Sequence, residues 1–238
     1  MPGSIRILSR KKLKSLSAGR RGEGPVSKDF SRKTFKTDQE KFWAGEFGDH
    51  YIGRNQGADR VASNAAFFAN ILRSAQNVRS VIEFGANIGL NLEAIRTLLP
   101  KAELAGVEIN QKAAEQLGAA IKGVQVYPIS ILDFKCKRMW DLVLIKGVLI
   151  HINPQSLPQV YEALYRASAR YICIAEYYNP TPVSIPYRGH ADRLFKRDFA
   201  GEMLDRCKYL RLLDYGFSYH RDGHFPQDDI TWFLLEKF

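Results

Sequence analysis

The run Val81-Ile82-Glu83-Phe84-Gly85-Ala86-Asn87-Ile88-Gly89 constrains the chain more than any other segment. An apolar stretch that carries an acid and ends in two glycines is how a strand hands over to a nucleotide-type ligand. Glycine tolerates positive φ and lets a ligand approach the backbone, so Gly85 and Gly89 read as the tight turn between a first parallel strand and a helix from Asn91 to Leu99. A dinucleotide fingerprint starting at Gly85 needs glycine at 87 and 90, where this chain has Asn87 and Leu90. Pyrophosphate binding at this turn is therefore disfavoured.

The next elements repeat the pattern. Leu104 to Glu108 is a second short apolar strand ending in an acid about twenty residues on, the spacing at which a carboxylate meets ribose hydroxyls. Glu108, with Ile109 beside it, is that candidate. A helix over about Asn110 to Ala120 and a strand from Val124 to Tyr127 lead to Ile129-Ser130-Ile131-Leu132-Asp133-Phe134. There Asp133 is expected to accept from an adenine amino group while Leu132 and Phe134 pack the ring. Trp140 to Gly147 reads as a fourth strand. Taken singly, Glu83, Glu108 and Asp133 read as solvated strand-end carboxylates. Three acids in order at successive strand ends is where open α/β sheets put their ligand sites.

The E-x-G-x-x-x-G form at Glu83 resembles motif I of class I S-adenosylmethionine (SAM) methyltransferases; Asp133 resembles motif III and Trp140 to Gly147 motif IV. The resemblance implies a Rossmann-like α/β fold: a seven-stranded, mostly parallel sheet with an antiparallel last strand and helices on both faces. It implies SAM as cofactor, with Glu83, Gly85, Asn87, Gly89, Glu108, Ile109, Asp133 and Lys146 around it.

Composition agrees with one α/β domain, since 238 residues at 45% hydrophobic suffice for one sizeable core. Cys136, Cys173 and Cys207 form no C-x-x-C pair, which points to a reducing, cytoplasmic setting. No apolar run approaches bilayer length, the best candidate being broken by Lys146, so no membrane partner is expected. The net charge of +10 is concentrated at one end. Residues 1–36 hold eleven Lys or Arg against Glu23 and Asp29, a net of +9, which leaves +1 for the rest. Such a tail is expected to be disordered. Its functional alternatives are a nucleic-acid or anionic-surface arm, a transit peptide, or a start codon placed too early. The domain proper is read as 37–238, and a nucleic-acid partner is expected only through the tail.

Thr37-Asp38-Gln39-Glu40 is a capping box opening an aromatic helix through Phe42, Trp43 and Phe47. A second helix is expected over Val61 to Ala75. Between them, Gly48 to Asn55 reads as a loop that caps the cofactor, with Tyr51 against the sulfonium, Arg54 on the methionine carboxylate, and Asn55 closing over it. Further on, a helix from Pro154 to Ala169, a fifth strand from Arg170 to Tyr178, a proline-stiffened acceptor lid over Pro180 to His190, and a helix from Lys196 to Arg206 are expected. Closing strands follow at Leu210 to Tyr219 and Ile230 to Glu236. No internal repeat is visible.

Gln39 to Gly48 with Tyr51 and Arg54-Asn55, Lys146 to Pro154, Glu176 to Pro180, and Pro226 to Phe233 are together similar to the bacterial pseudaminic acid biosynthesis-associated methylases. The similarity runs from about Thr37 to the C-terminus and implies a methylase acting on a small-molecule acceptor, a sugar or nonulosonate intermediate. Candidate bases for a hydroxyl acceptor are His151 just past the fourth strand, Glu176 at the fifth strand end, and His190 in the lid. Lys146 either meets an acceptor carboxylate or phosphate or snorkels to solvent. Two rival readings stay open: a methyltransferase acting on a protein, peptide or RNA, and a non-catalytic SAM-fold binding protein. Oligomeric state is left open by the sequence.

Overall fold

The computed structural model describes residues 34–54 and 57–238. Contacts divide the chain into Met1–Thr34 and Phe35–Phe238, and all elements below belong to the second unit. The tail reading, apart from 34–36, and the assignment at Asn55 lie outside the described residues. Lys36 is held: its ammonium donates to the Leu132 carbonyl at 3.0 Å and pairs with Asp133 at 2.5 Å.

Five strands alternate with helices in chain order: β1 (Ser80–Phe84), β2 (Glu103–Val107), β3 (Gln125–Tyr127), β4 (Trp140–Lys146) and β5 (Ser168–Glu176). β1, β2, β4 and the second half of β5 read as near-continuous apolar runs because these central strands are covered on both faces, whereas β3 is a short edge strand. After the hairpin β6 (Val183–Tyr187) and β7 (His190–Lys196), the chain closes with β8 (Leu210–Ser218) and β9 (Ile230–Lys237). The main sheet has the order β3-β2-β1-β4-β5-β9-β8. β9 runs antiparallel to both neighbours, and every other pairing is parallel. The expected seven-stranded architecture is the observed one.

Alternation along the strands builds two cores. Helices α3 (Ala58–Leu72), α4 (Leu90–Leu98) and α5 (Gln111–Ala120) cover one face through Phe67, Phe68, Ile71, Leu92, Ile95 and Leu117. α6 (Leu157–Ala167) and α7 (Phe199–Arg206) cover the other through Val160, Tyr161, Leu164, Phe199 and Met203. No helix among the described residues is long and apolar enough to cross a membrane.

Two local expectations are corrected. The capping box forms as read, with Glu40 N–H donating to Thr37 Oγ1 and Thr37 N–H to Glu40 Oε2, and it opens α1 (Asp38–Ala44). Gly48 to Arg54, however, is not a loop. It lies in α2 (Glu46–Arg54), which restarts after a break at extended Gly45. Gly48 is there for close approach, since a Cβ would overlap the Trp43 carbonyl. The expected lid loop is the β6–β7 hairpin. Its turn residues Arg188 and Gly189 both have positive φ, 49° and 83°, as a two-residue hairpin turn requires. Pro186 hid this strand from a sequence reading; it sits where the register shifts between Ile185 and Tyr187.

Candidate active site

A cavity of about 280 Å³ opens at the carboxyl ends of β1, β2, β4 and β5, beneath α1, α2 and the hairpin. Its floor is the turn after β1. Gly85, Asn87 and Gly89 there have φ of 77°, 48° and 93°, and asparagine is among the few residues beside glycine that adopt this region readily. The turn spends its N–H groups internally. Gly85 and Ala86 donate to the Val107 carbonyl, Asn87 to Glu108 Oε2 at 2.8 Å, and Gly89 to the Ala86 carbonyl. Few donors are left to cradle a phosphate. Gly89 itself is absent from the wall; a Cβ on it would overlap Leu117, so it is a packing glycine.

Glu108 is held by the backbone on both oxygens. It lies on the wall beside Ile109, and its second oxygen accepts from Asn110 N–H at 2.7 Å. Burial raises its carboxyl above the usual range against the pull of these backbone bonds. Asp133 is a correction, as it is half exposed, paired with Lys36, and off the wall. Phe134 likewise packs edge-on against Phe84 and Tyr127 in the core. Ser130, Ile131 and Leu132 line the cavity in their place, and the Ser130 hydroxyl donates to Glu40 Oε1. Glu40 thus serves both the cap and the wall. Its spacing signalled only the cap, because nothing in sequence announces a partner ninety positions away.

Glu83 is also a correction. Strand alternation turns it onto the α4 side of the sheet, wholly buried, where Oε1 accepts from Asn91 Nδ2 at 2.6 Å and Oε2 has no partner. Asn91 lines the cavity and Glu83 does not. Burial pushes the Glu83 carboxyl up to about 8 from an ordinary 4.5, opposed by Asn91 and by nearby Lys146. Between those values the native state holds a proton that the unfolded chain releases, so this group lowers stability as pH rises from about 4.5 to 8. Buried His151, lowered to about 4 from 6.5, acts in the opposite sense between those two values. Glu83→Gln, which keeps the Asn91 bond, is therefore expected to recover about 1–2 kcal/mol of the stability lost between pH 6.5 and 8. Urea midpoints at the two pH values check this, and an unchanged pH slope refutes it.

The opposite wall is aromatic. Trp43 lies 4.7 Å from the His151 ring and 5.1 Å from Tyr51, and Tyr187 of the hairpin lies 5.0 Å from His151. His151 Nδ1 lies 2.6 Å from the Arg193 carbonyl, an acceptor, so Nδ1 carries the hydrogen and Nε2 a lone pair. Glu176 Oε1 accepts from Val148 and Leu149 N–H at 2.9 and 2.8 Å, while Oε2 is buried without a partner. Burial pushes Glu176 up to about 7. Lys146 Nζ reaches Asn64 Oδ1 at 3.4 Å, an oxygen shared with Gln227. Asn64, Gln227, Gln39 and Trp43 line the wall without having been anticipated.

Arg54 and His190 lie off the wall. Arg54 stands 5.6 Å from the Tyr51 ring, and His190 packs 5.1 Å from Phe42. The mouth is cationic: Arg54, Arg188 and Lys196 sit on Tyr51, Tyr187 and Tyr177, each a wall residue, and Arg60 is on the wall itself. None of the four has an ion-pair partner among the described residues, and one carboxylate, Asp228, shares the wall with Arg60.

No family model and no curated protein matches the sequence. Solved structures do. The mitomycin 7-O-methyltransferase MmcR is similar with a TM-score of 0.62 at 12% identity, over 85% of this chain; the chain spans 61% of that protein's length. A SAM-dependent methyltransferase from Leishmania major gives 0.61 at 15% identity, over 83% of this chain and 80% of the other. CalS10, an amino pentose methyltransferase from Micromonospora echinaspora, gives 0.57 at 12% identity, over 81% and 96%. With the strand order described above, these likenesses identify the fold as the Rossmann-like fold of SAM-dependent methyltransferases.

Proposed function

We propose that the chain is a SAM-dependent methyltransferase whose acceptor is a small acidic sugar of the nonulosonate type. The observation that carries the cofactor is Glu108, clamped by the N–H groups of Asn87 and Asn110 above a turn in which the N–H groups of Gly85, Ala86 and Gly89 are already engaged. That arrangement suits ribose hydroxyls and a phosphate-free ligand. On this reading the wall residues Ser130 and Leu132, with Glu40, would meet the adenine, and Asn91 would meet the methionine end.

For the acceptor, the support is Arg60 on the wall with Arg54 and Arg188 beside wall tyrosines, none of them in an ion pair among the described residues, which favours an anion, and the aromatic wall, which suits sugar faces. Two proteins of similar fold are named for small molecules, mitomycin and an amino pentose. Bound SAM would supply a sulfonium-activated methyl group to an acceptor lone pair and leave as S-adenosylhomocysteine, and the proton of a hydroxyl acceptor would pass to His151 Nε2. The protein supplies positioning and desolvation. Lys146, Arg60 and Arg188 would face the acceptor's acidic group, with His151 near the attacking atom.

Calorimetry should show micromolar binding of SAM and S-adenosylhomocysteine and none of NAD. Glu108→Ala should weaken the former by roughly five- to thirty-fold, the worth of one charge-assisted hydrogen bond. NAD binding without SAM binding would overturn the cofactor reading. Release of S-adenosylhomocysteine with a nonulosonate, and not with its carboxyl-reduced analogue, tests the acceptor.

A further inference from the structure

The face of the main sheet that carries α6 and α7 is not covered to its edge. α7 packs over the start of β8, where Leu210 joins Met203 and Leu235 in the core. Beyond it the same face of β8 turns large apolar side chains to solvent: Leu212 is 43% exposed, Tyr215 65% and Phe217 58%. Tyr215 stacks on Phe233 at 6.4 Å, Tyr178 reaches the same ring at 5.9 Å, and Tyr219 lies 6.2 Å from Phe217. The patch is continuous. β8 is also the last strand of its sheet, with no strand on its outer side among the described residues.

We infer that this bare face of β8 and β9 is a two-fold interface between two copies of the chain. At roughly 200 Å² per aromatic side chain, Tyr178, Tyr215, Phe217 and Tyr219 with Leu212 leave roughly 500 Å² of apolar surface in water. A standard interface buries about 800 Å² per partner, somewhat over half of it apolar, so one such face supplies the apolar half of a stable dimer. It stands at the upper end of what monomers leave exposed, about 300–600 Å². The flanking charges are of both signs and lie close together, Arg170 and Arg211 sharing Glu236 and His220 standing against Asp229, so the rim does not present one sign alone to select an oppositely charged partner. An apolar patch whose rim carries both signs is complementary to itself, as a two-fold contact requires. The contact is made through side chains rather than by joining the sheets, because the irregularity between Leu212 and Asp214 kinks the edge of β8.

The test is the mass of the full chain in solution by light scattering at tens of micromolar, which should be twice that of one chain. Tyr215→Lys with Phe217→Lys should restore the single-chain mass. The milder pair Tyr215→Ser with Phe217→Ser should weaken association without adding charge. None of these positions lines the cavity, so S-adenosylhomocysteine affinity and the far-UV spectrum should stay as in the unaltered chain. A full chain of single-chain mass, or a dimer that persists with both lysines in place, overturns the inference.

Discussion

Gly85→Ala is expected to lower SAM affinity by on the order of 100-fold, about 2.8 kcal/mol. Two costs combine at this position. The first is conformational: Gly85 has φ of 77°, and an L side chain there costs about 1–2 kcal/mol. The second is steric, since a Cβ would overlap Val148 Cγ2, so either the turn or the segment after β4 must move. Both form the cavity wall, and movement of either displaces the groups that would hold the methionine end. Gly123 separates the two costs. Its φ is 76°, nearly the same, but a Cβ there meets nothing within 4 Å. Gly123→Ala should therefore lower stability by about 1–2 kcal/mol and leave SAM affinity unchanged. Val148→Ala placed on Gly85→Ala should recover part of the affinity. Calorimetry with SAM across the four proteins reads the result, and equal affinity in Gly85→Ala and the unaltered chain removes the turn from the site.

The fold was legible because β1, β2 and β4 announce themselves as apolar runs closed by acids or glycine, a signal carried entirely by neighbouring residues. The place of Glu108 on the cavity wall was legible for the same reason. What failed depended on direction or distance. Glu83 and Glu108 look alike in sequence, yet strand alternation turns Glu83 onto the α4 face while Glu108 lies one residue beyond its strand, where the chain bends over the cavity. Asp133 is neutralised by Lys36, a residue the charge count assigned to the tail. The α2 helix was missed because Gly48 and Gly53 depress helix propensity, and close packing on Trp43 outweighs that cost at Gly48. Trp43, Asn64 and Gln227 reach the cavity only through tertiary folding. A capping box, a helix interior and a C-terminal turn carry no local mark of a shared wall.

His151→Gln is expected to lower turnover on a hydroxyl acceptor by on the order of 10²-fold while leaving SAM affinity nearly intact. Burial lowers the imidazole to about 4, and the Arg193 carbonyl takes the Nδ1 hydrogen, so Nε2 stays an unprotonated acceptor throughout the physiological range. So weak a base is adequate here, because the acceptor hydroxyl becomes strongly acidic only as its oxygen gains the methyl group. The rate should then be flat between about pH 5 and 8, which lies above the His151 value. Glu176 is the competing base, and its raised value of about 7 makes the opposite forecast: a base must be deprotonated, so the rate would rise about tenfold per unit below pH 7 and level off above it. Its geometry argues for a positioning role. One oxygen holds the Val148 and Leu149 N–H groups that carry the chain toward His151, and the other is sealed from solvent. Glu176→Gln retains an oxygen for both N–H groups and should keep turnover within about tenfold. A tenfold-per-unit rise below pH 7, lost in Glu176→Gln and kept in His151→Gln, would transfer the base to Glu176. Normal turnover in both variants would instead point to an amine acceptor, which attacks through its own lone pair and needs no base in the transition state.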